Sequence, residues 1–129
     1  MSAKRAPQAR KPPGLKRVYM AMGYSLEGLK HATASEPAFQ QELIILAVMT
    51  LVAAVCPFSF ALKVAIAVSH LFILVVELLN SAIEAIVDMA SPDYNALAKQ
   101  SKDMASAAVL LAFVISALVW SYAIYEVVA

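Results

Sequence analysis

The chain has 129 residues, 62% of them hydrophobic and 15% charged, with three glycines and a formal net charge of +1. A soluble domain of that length cannot bury so much apolar surface, so a single-domain membrane protein is expected and a freely soluble enzyme is excluded. The charge is uneven, because Lys4, Arg5, Arg10, Lys11, Lys16, Arg17 and Lys30, seven of the ten basic residues, fall within the first 30 positions.

Residues 1–14, MSAKRAPQARKPPG, are basic and Pro-rich and read as a disordered tail. They lead into no apolar core with a cleavage site, so no cleavable leader is expected. Over 15–35, Leu15, Val18, Tyr19, Met22, Leu26 and Leu29 recur at helical spacing, while Lys16, Arg17, Glu27 and Lys30 lie off that stripe. This predicts an amphipathic helix on the membrane surface. SEPAF at 35–39 marks a break, since Pro37 disfavours helix at Glu36 and suits the first turn of the next one.

Three transmembrane helices follow, at about 38–57, 64–89 and 103–125. Residues 43–62 carry no charge, and Pro57 is expected to end the first helix. The second begins at Val64 after a very short connection, and the third holds 22 uncharged residues from 104 to 125. The lone Cys56 has no internal disulfide partner and reads as a small buried thiol. The basic N-terminal region, with Lys99 and Lys102 in the connection around 91–103, puts both on the cytoplasmic side. Phe58, Phe60, Trp120, Tyr122 and Tyr125 then form the outer aromatic belt. The fold class is all-α: one surface helix and three membrane-crossing helices.

The second span contains the chemistry. In VVELLNSAIEAIVDM, residues 75–89, the side chains of Glu77, Asn80, Glu84 and Asp88 project within about 80° of one another. His70 shares that face. Glu77 falls about 10 Å inside the cytoplasmic boundary, Glu84 at it and Asp88 beyond it. A carboxylate at the bilayer centre costs about 2.5–3.5 kcal/mol, and an acid kept inside the membrane marks function by default. The plainer readings are a protonated, hydrogen-bonded Glu77, an Asn80 that joins helices, a solvated Asp88 and a His70 packed between helices.

Carboxylates at that interface can hold a hard divalent cation with phosphate oxygens, and a drier one can take a proton from an alcohol. There is no GxxxxGK[ST] or GxGxxG stretch, so a nucleotide is not expected on a glycine-rich loop. Lys102 and Arg17 are the candidate phosphate partners, and nucleic acid is not an expected partner. On the third helix, Ala108, Ala112 and Ser116 form a small-residue stripe for close helix contact. Three thin spans leave little interior for a pocket, so a homo-oligomer is expected on size alone. A small ion carrier or a helical scaffold is the rival reading. The outer half of the second span, VAIAVSHLFILVV, offers such a path only Ser69 and His70.

ELLNSAIEAIVD (77–88) and KDMASAAVLLA (102–112), with GYSLEGLKHA (23–32) and EPAFQQE (36–42), resemble the prokaryotic membrane-integral diacylglycerol kinase family over roughly residues 15–120. The resemblance implies an ATP-dependent lipid kinase of the bacterial inner membrane, a homotrimer with sites shared between subunits. It implies Glu77 as general base on the lipid hydroxyl, and Glu36 and Glu84 as ligands of Mg²⁺ alongside ATP. It further implies Arg17, Tyr24, Asp93, Tyr94, Asn95, Lys102 and Asp103 as nucleotide contacts, with Asn80 and Ser106 on the substrate side. Asp103 is also expected to open the third helix, where an acid suits the positive end of the helix dipole. The sequence departs from the family pattern at Met20, at Asn95, where His is frequent, and at Ala105, where Gly is frequent. Undecaprenol is the alternative acceptor, which Ala98-Lys99 before Lys102-Asp103 resembles; EPAFQQE and KDMASAAV lie nearer the diacylglycerol-using sequences.

Overall fold

A computed structural model describes residues 14–129. The tail expected over 1–14 lies outside the described residues except for Gly14. Four helices follow in order: α1 (Leu15–Ser35), α2 (Pro37–Val55), α3 (Phe60–Ala90) and α4 (Ala96–Val128). The chain divides into two units after His31, and each is described by itself.

Gly14 adopts φ 62°, a left-handed conformation open to glycine at little cost, and its carbonyl accepts from Arg17 N at 3.0 Å as α1 begins. The break at Pro37 is as the sequence implies. Glu36 is extended (φ −104°, ψ 101°), and Pro37 occupies the first turn of α2.

The helices α2, α3 and α4 are each long and apolar enough to cross a membrane. Two of them run beyond the apolar stretches. At about 1.5 Å per residue, the 31 residues of α3 and 33 of α4 exceed a hydrocarbon core of about 30 Å. The ends are set by caps rather than by hydropathy. Ser59 Oγ accepts from Leu62 N at 3.3 Å and starts α3 at Phe60. The charge of Lys63, which bars the apolar run from starting sooner, is absorbed locally: its Nζ donates to the Ala54 carbonyl at 2.7 Å, near the C-terminus of α2. Asn95 Oδ1 accepts from Leu97 N (2.9 Å) and Ala98 N (3.2 Å) and starts α4 at Ala96. Asp103 therefore does not open this helix. It lies in the second turn and pairs with Lys99 four residues earlier.

The helix α3 packs on both α2 and α4, more extensively on α4. Lipid tails are as apolar as leucine, so what holds such helices together is close fit, which small residues permit. The buried positions of α4 are Ala105, Ala112, Ser116 and Ala123. Ala108, expected in that stripe, is exposed, and Ala105 takes its place at a seven-residue step from Ala112. One packed cluster joins Leu46, Ile73 and Ala112. Another joins Ala53, Leu62, Ile66 and Ala123, with Phe58 and Trp120 against it. Cys56 is half-buried rather than buried. Of the aromatic set, Phe60, Tyr122 and Tyr125 are exposed, whereas the Trp120 ring turns inward to meet Phe58 edge-on at 5.9 Å.

Candidate functional site

Along α3, burial falls from Glu77 toward the polar end of the helix. Glu77 is 4% exposed, Asn80 and Glu84 are half-buried, and Asp88 is exposed. Asn80 Nδ2 donates to Glu84 Oε1 at 3.4 Å, a long bond. The Asn80 Oδ1 atom is buried and has no partner. Glu36 serves as the N-cap residue of α2, yet its side chain makes no capping bond, so its carboxylate is available for another task. Glu84 and Glu36 both lie within electrostatic reach of Glu77.

A fourth carboxylate belongs here. Glu42, on α2, is also within electrostatic reach of Glu77, and its Oε2 is buried without a partner. Sequence reasoning missed it, because Glu42 stands one residue before the uncharged run and there looks like an ordinary boundary acid. A signal was present: Glu42 is three residues after Phe39 and four before Leu46, both buried, so it shares the inward face of α2. Buried acceptors without donors carry a penalty of about 1–3 kcal/mol each, which a ligand hydroxyl or a cation removes.

A second cluster forms at the α3–α4 turn. Asp88, Asp93, Tyr94, Asn95, Lys99, Lys102 and Asp103 line a surface groove of about 350 Å³. Lys102 Nζ bonds Asp88 Oδ1 at 3.0 Å, and Lys99 pairs with Asp103. Such exposed pairs are weak and screened by salt, so an incoming phosphate can take either lysine. Five of the sequence-derived nucleotide contacts thus meet in one groove, but the Asn95 side-chain oxygen is already committed to capping α4. Arg17 and Tyr24 are exposed on α1. Ser106 is exposed on α4 and lines neither cluster.

The donor set suits a hard cation. Among the described residues no three His, Cys, Asp or Glu side chains gather as a metal cluster. Mg²⁺ needs only one or two carboxylates beside phosphate and water oxygens, and Glu36, Glu84 and the partnerless Asn80 Oδ1 are oxygen donors of that kind.

The family model of prokaryotic diacylglycerol kinase matches residues 23–124. The chain belongs to the prokaryotic diacylglycerol kinase family. It is 37% identical over 107 residues to the diacylglycerol kinase of Escherichia coli (strain K12), covering 83% of this chain and 88% of that one. It is 40% identical over 111 residues to that of Helicobacter pylori (strain J99), covering 85% and 86%. With the Pseudomonas aeruginosa diacylglycerol kinase it shares 41% over 108 residues, covering 84% and 88%. The family match takes in Tyr24, Glu77 with the three carboxylates around it and the whole α3–α4 groove; Arg17 precedes it.

Within this member of the diacylglycerol kinase family, polar groups also meet deeper in the bundle, around Thr50, Ser69, His70, Ser116 and Trp120. They do not continue the acid row. Ile73, fully buried with Leu46 and Ala112, separates them from Glu77. A continuous polar path through the bundle, as an ion carrier needs, is therefore interrupted by an apolar layer.

Proposed function

We propose that the chain is an ATP-dependent diacylglycerol kinase that makes phosphatidic acid at the cytoplasmic face of the bacterial inner membrane. The observation that carries this reading is Glu77, 4% exposed on a membrane-crossing helix and one end of a row of acids leading to the lysine-bearing groove. Family membership and relatives named diacylglycerol kinase support the acceptor.

Glu77 takes the proton of the lipid hydroxyl as its oxygen attacks the γ-phosphorus, and ADP leaves. Asn80 orients that hydroxyl or the Glu84 carboxylate. Lys102 exchanges Asp88 for a phosphate oxygen, and Asp93, Tyr94, Asp103 and the backbone at Asn95 contact the nucleotide, as do Arg17 and Tyr24 from the surface helix. Ser106 contacts the lipid. Glu36 and Glu84 would hold Mg²⁺, which when bound neutralises phosphate charge. Burial of Glu77 keeps water from competing with the lipid. An apolar groove of about 470 Å³ between α2 and α3, lined by Leu43, Leu46, Leu71 and Leu74, lies next to the Glu42 and Glu77 turns and suits a hydrocarbon chain of the acceptor.

The wider arrangement belongs to the same proposal. The surface helix is amphipathic and lies on the membrane, the N-terminus is cytoplasmic, and three copies share sites between neighbours. The test is transfer of labelled γ-phosphate from Mg-ATP in mixed micelles, with diacylglycerol and undecaprenol offered separately. Labelled phosphatidic acid supports the reading. Label on undecaprenol alone keeps the kinase and replaces the acceptor, and an unlabelled lipid fraction in both overturns it.

A further inference from the structure

His70 lies seven residues before Glu77 on α3, so the two side chains share one helix face. It is 4% exposed, and both of its ring nitrogens are engaged by other helices. From α4, Trp120 Nε1–H donates to His70 Nε2 at 3.0 Å. A nitrogen that accepts carries no hydrogen, so the neutral ring holds its proton on Nδ1 and donates it to Thr50 Oγ1 of α2, 2.7 Å away. The Thr50 hydroxyl in turn donates to the Leu46 carbonyl at 2.7 Å. One directional chain of bonds thus runs from α4 through α3 to α2, and each member has its partner. Ser69 Oγ, whose proton goes to the Ile66 carbonyl at 2.8 Å, accepts from Ser116 Oγ beside it at 3.1 Å, a second tie between α3 and α4.

The chain of bonds ends on a residue that packs toward the acid row. Leu46 meets Ile73, and Ile73 stands one turn below Glu77. Apolar contacts in lipid hold helices close but leave their rotation loosely determined, whereas a bonded ring clamped from both sides does not turn. Rotation matters for catalysis. Turning a helix by about 25° moves a Cα at about 2.3 Å radius by about 1 Å. A misplacement of about 1 Å can cost about 10²-fold in rate.

The geometry points to His70 as a positioning residue for Glu77: with Thr50 and Trp120 it fixes the rotation of α3 and so holds the carboxylate where the lipid hydroxyl must meet it. The inference rests on the reading of Glu77 as the base.

The experiment compares wild type with His70→Leu, His70→Gln, Thr50→Val and Trp120→Phe in mixed micelles. Rates are taken per folded oligomer, from size-exclusion and thermal melting. His70→Leu removes both bonds and lowers kcat about tenfold, while KM for ATP stays within about twofold. His70→Gln, whose amide supplies one donor and one acceptor, restores kcat to within about threefold of wild type. Thr50→Val and Trp120→Phe each fall between, and Thr50→Val adds nothing in the His70→Leu background. Wild-type kcat in His70→Leu overturns the inference, as does a His70→Gln no better than His70→Leu, or effects of Thr50 and His70 that multiply. A wild type inert toward every lipid alcohol overturns the kinase reading instead. Dicyclohexylcarbodiimide labelling of Glu77 then reads the clamp without activity: faster labelling in His70→Leu, reversed in His70→Gln, supports it, and an unchanged rate overturns it.

Discussion

Glu77 and Glu42 are both carboxylates facing the α2–α3 contact, yet only one stands out in the sequence. Glu77 interrupts an apolar helix, where a charge is expensive, so its position alone raises the question of function. Glu42 borders the uncharged run, where a charge is cheap, and its burial depends on how α2 rests on α3. That is a tertiary fact, which periodicity can suggest through Phe39 and Leu46 but does not establish. Glu42→Gln keeps the shape and removes the charge next to Glu77. It is expected to lower kcat about tenfold, with KM for ATP unchanged. Steady-state kinetics on the purified variant checks this, and an unaltered kcat would make Glu42 a packing residue. The bonds of His70 were equally hidden, because Thr50 and Trp120 lie 20 and 50 positions away in the chain.

Hydropathy finds where a helix crosses a membrane and is silent on where the helix ends. The apolar runs marked the three helices long and apolar enough to cross, but α3 and α4 begin at the caps Ser59 and Asn95 and extend past the apolar segments. The overlooked first turns of α4 carry Lys99, Lys102 and Asp103, so the cap also builds the groove. Asn95→Ala is expected to lose about 1 kcal/mol of stability, seen as a lower melting temperature, while Asn95→Asp retains most of it. A lower affinity for ATP in Asn95→Ala without any loss of stability would assign the side chain to the nucleotide instead. At the same turn, Asp88→Asn frees Lys102 for phosphate. KM for ATP should fall about twofold to threefold at low salt and the difference should fade at high salt, as a screened surface interaction does. An unchanged KM at low salt would mean that Lys102 does not reach the nucleotide.

At the scale of the whole molecule, the three crossing helices leave much of their apolar surface exposed, as lipid contact or further copies require; Leu51, Leu71, Leu110 and Leu118 are examples. All-helical architecture and membrane residence were readable from the long apolar runs, because an uncharged stretch of about 20 residues satisfies its backbone polar groups in lipid as a helix, whereas a barrel strand needs only about 9–11. The number of copies was not, since an apolar face serves a neighbour as well as it serves lipid. If sites are shared between copies, oligomers assembled from Glu77→Gln chains mixed with Lys102→Met chains should recover part of the activity that each homogeneous variant lacks. Recovery is checked by reconstituting the two variants together, and its absence across mixing ratios would place each complete site within one chain.

On the reading proposed, Glu77 is the base of a lipid kinase. This role is tested most directly by γ-phosphate transfer from labelled Mg-ATP to diacylglycerol in mixed micelles, wild type against Glu77→Gln. Labelled phosphatidic acid is expected from wild type, with turnover about 10²- to 10⁴-fold lower in the variant at unchanged folding. Near-wild-type turnover in Glu77→Gln would contradict it.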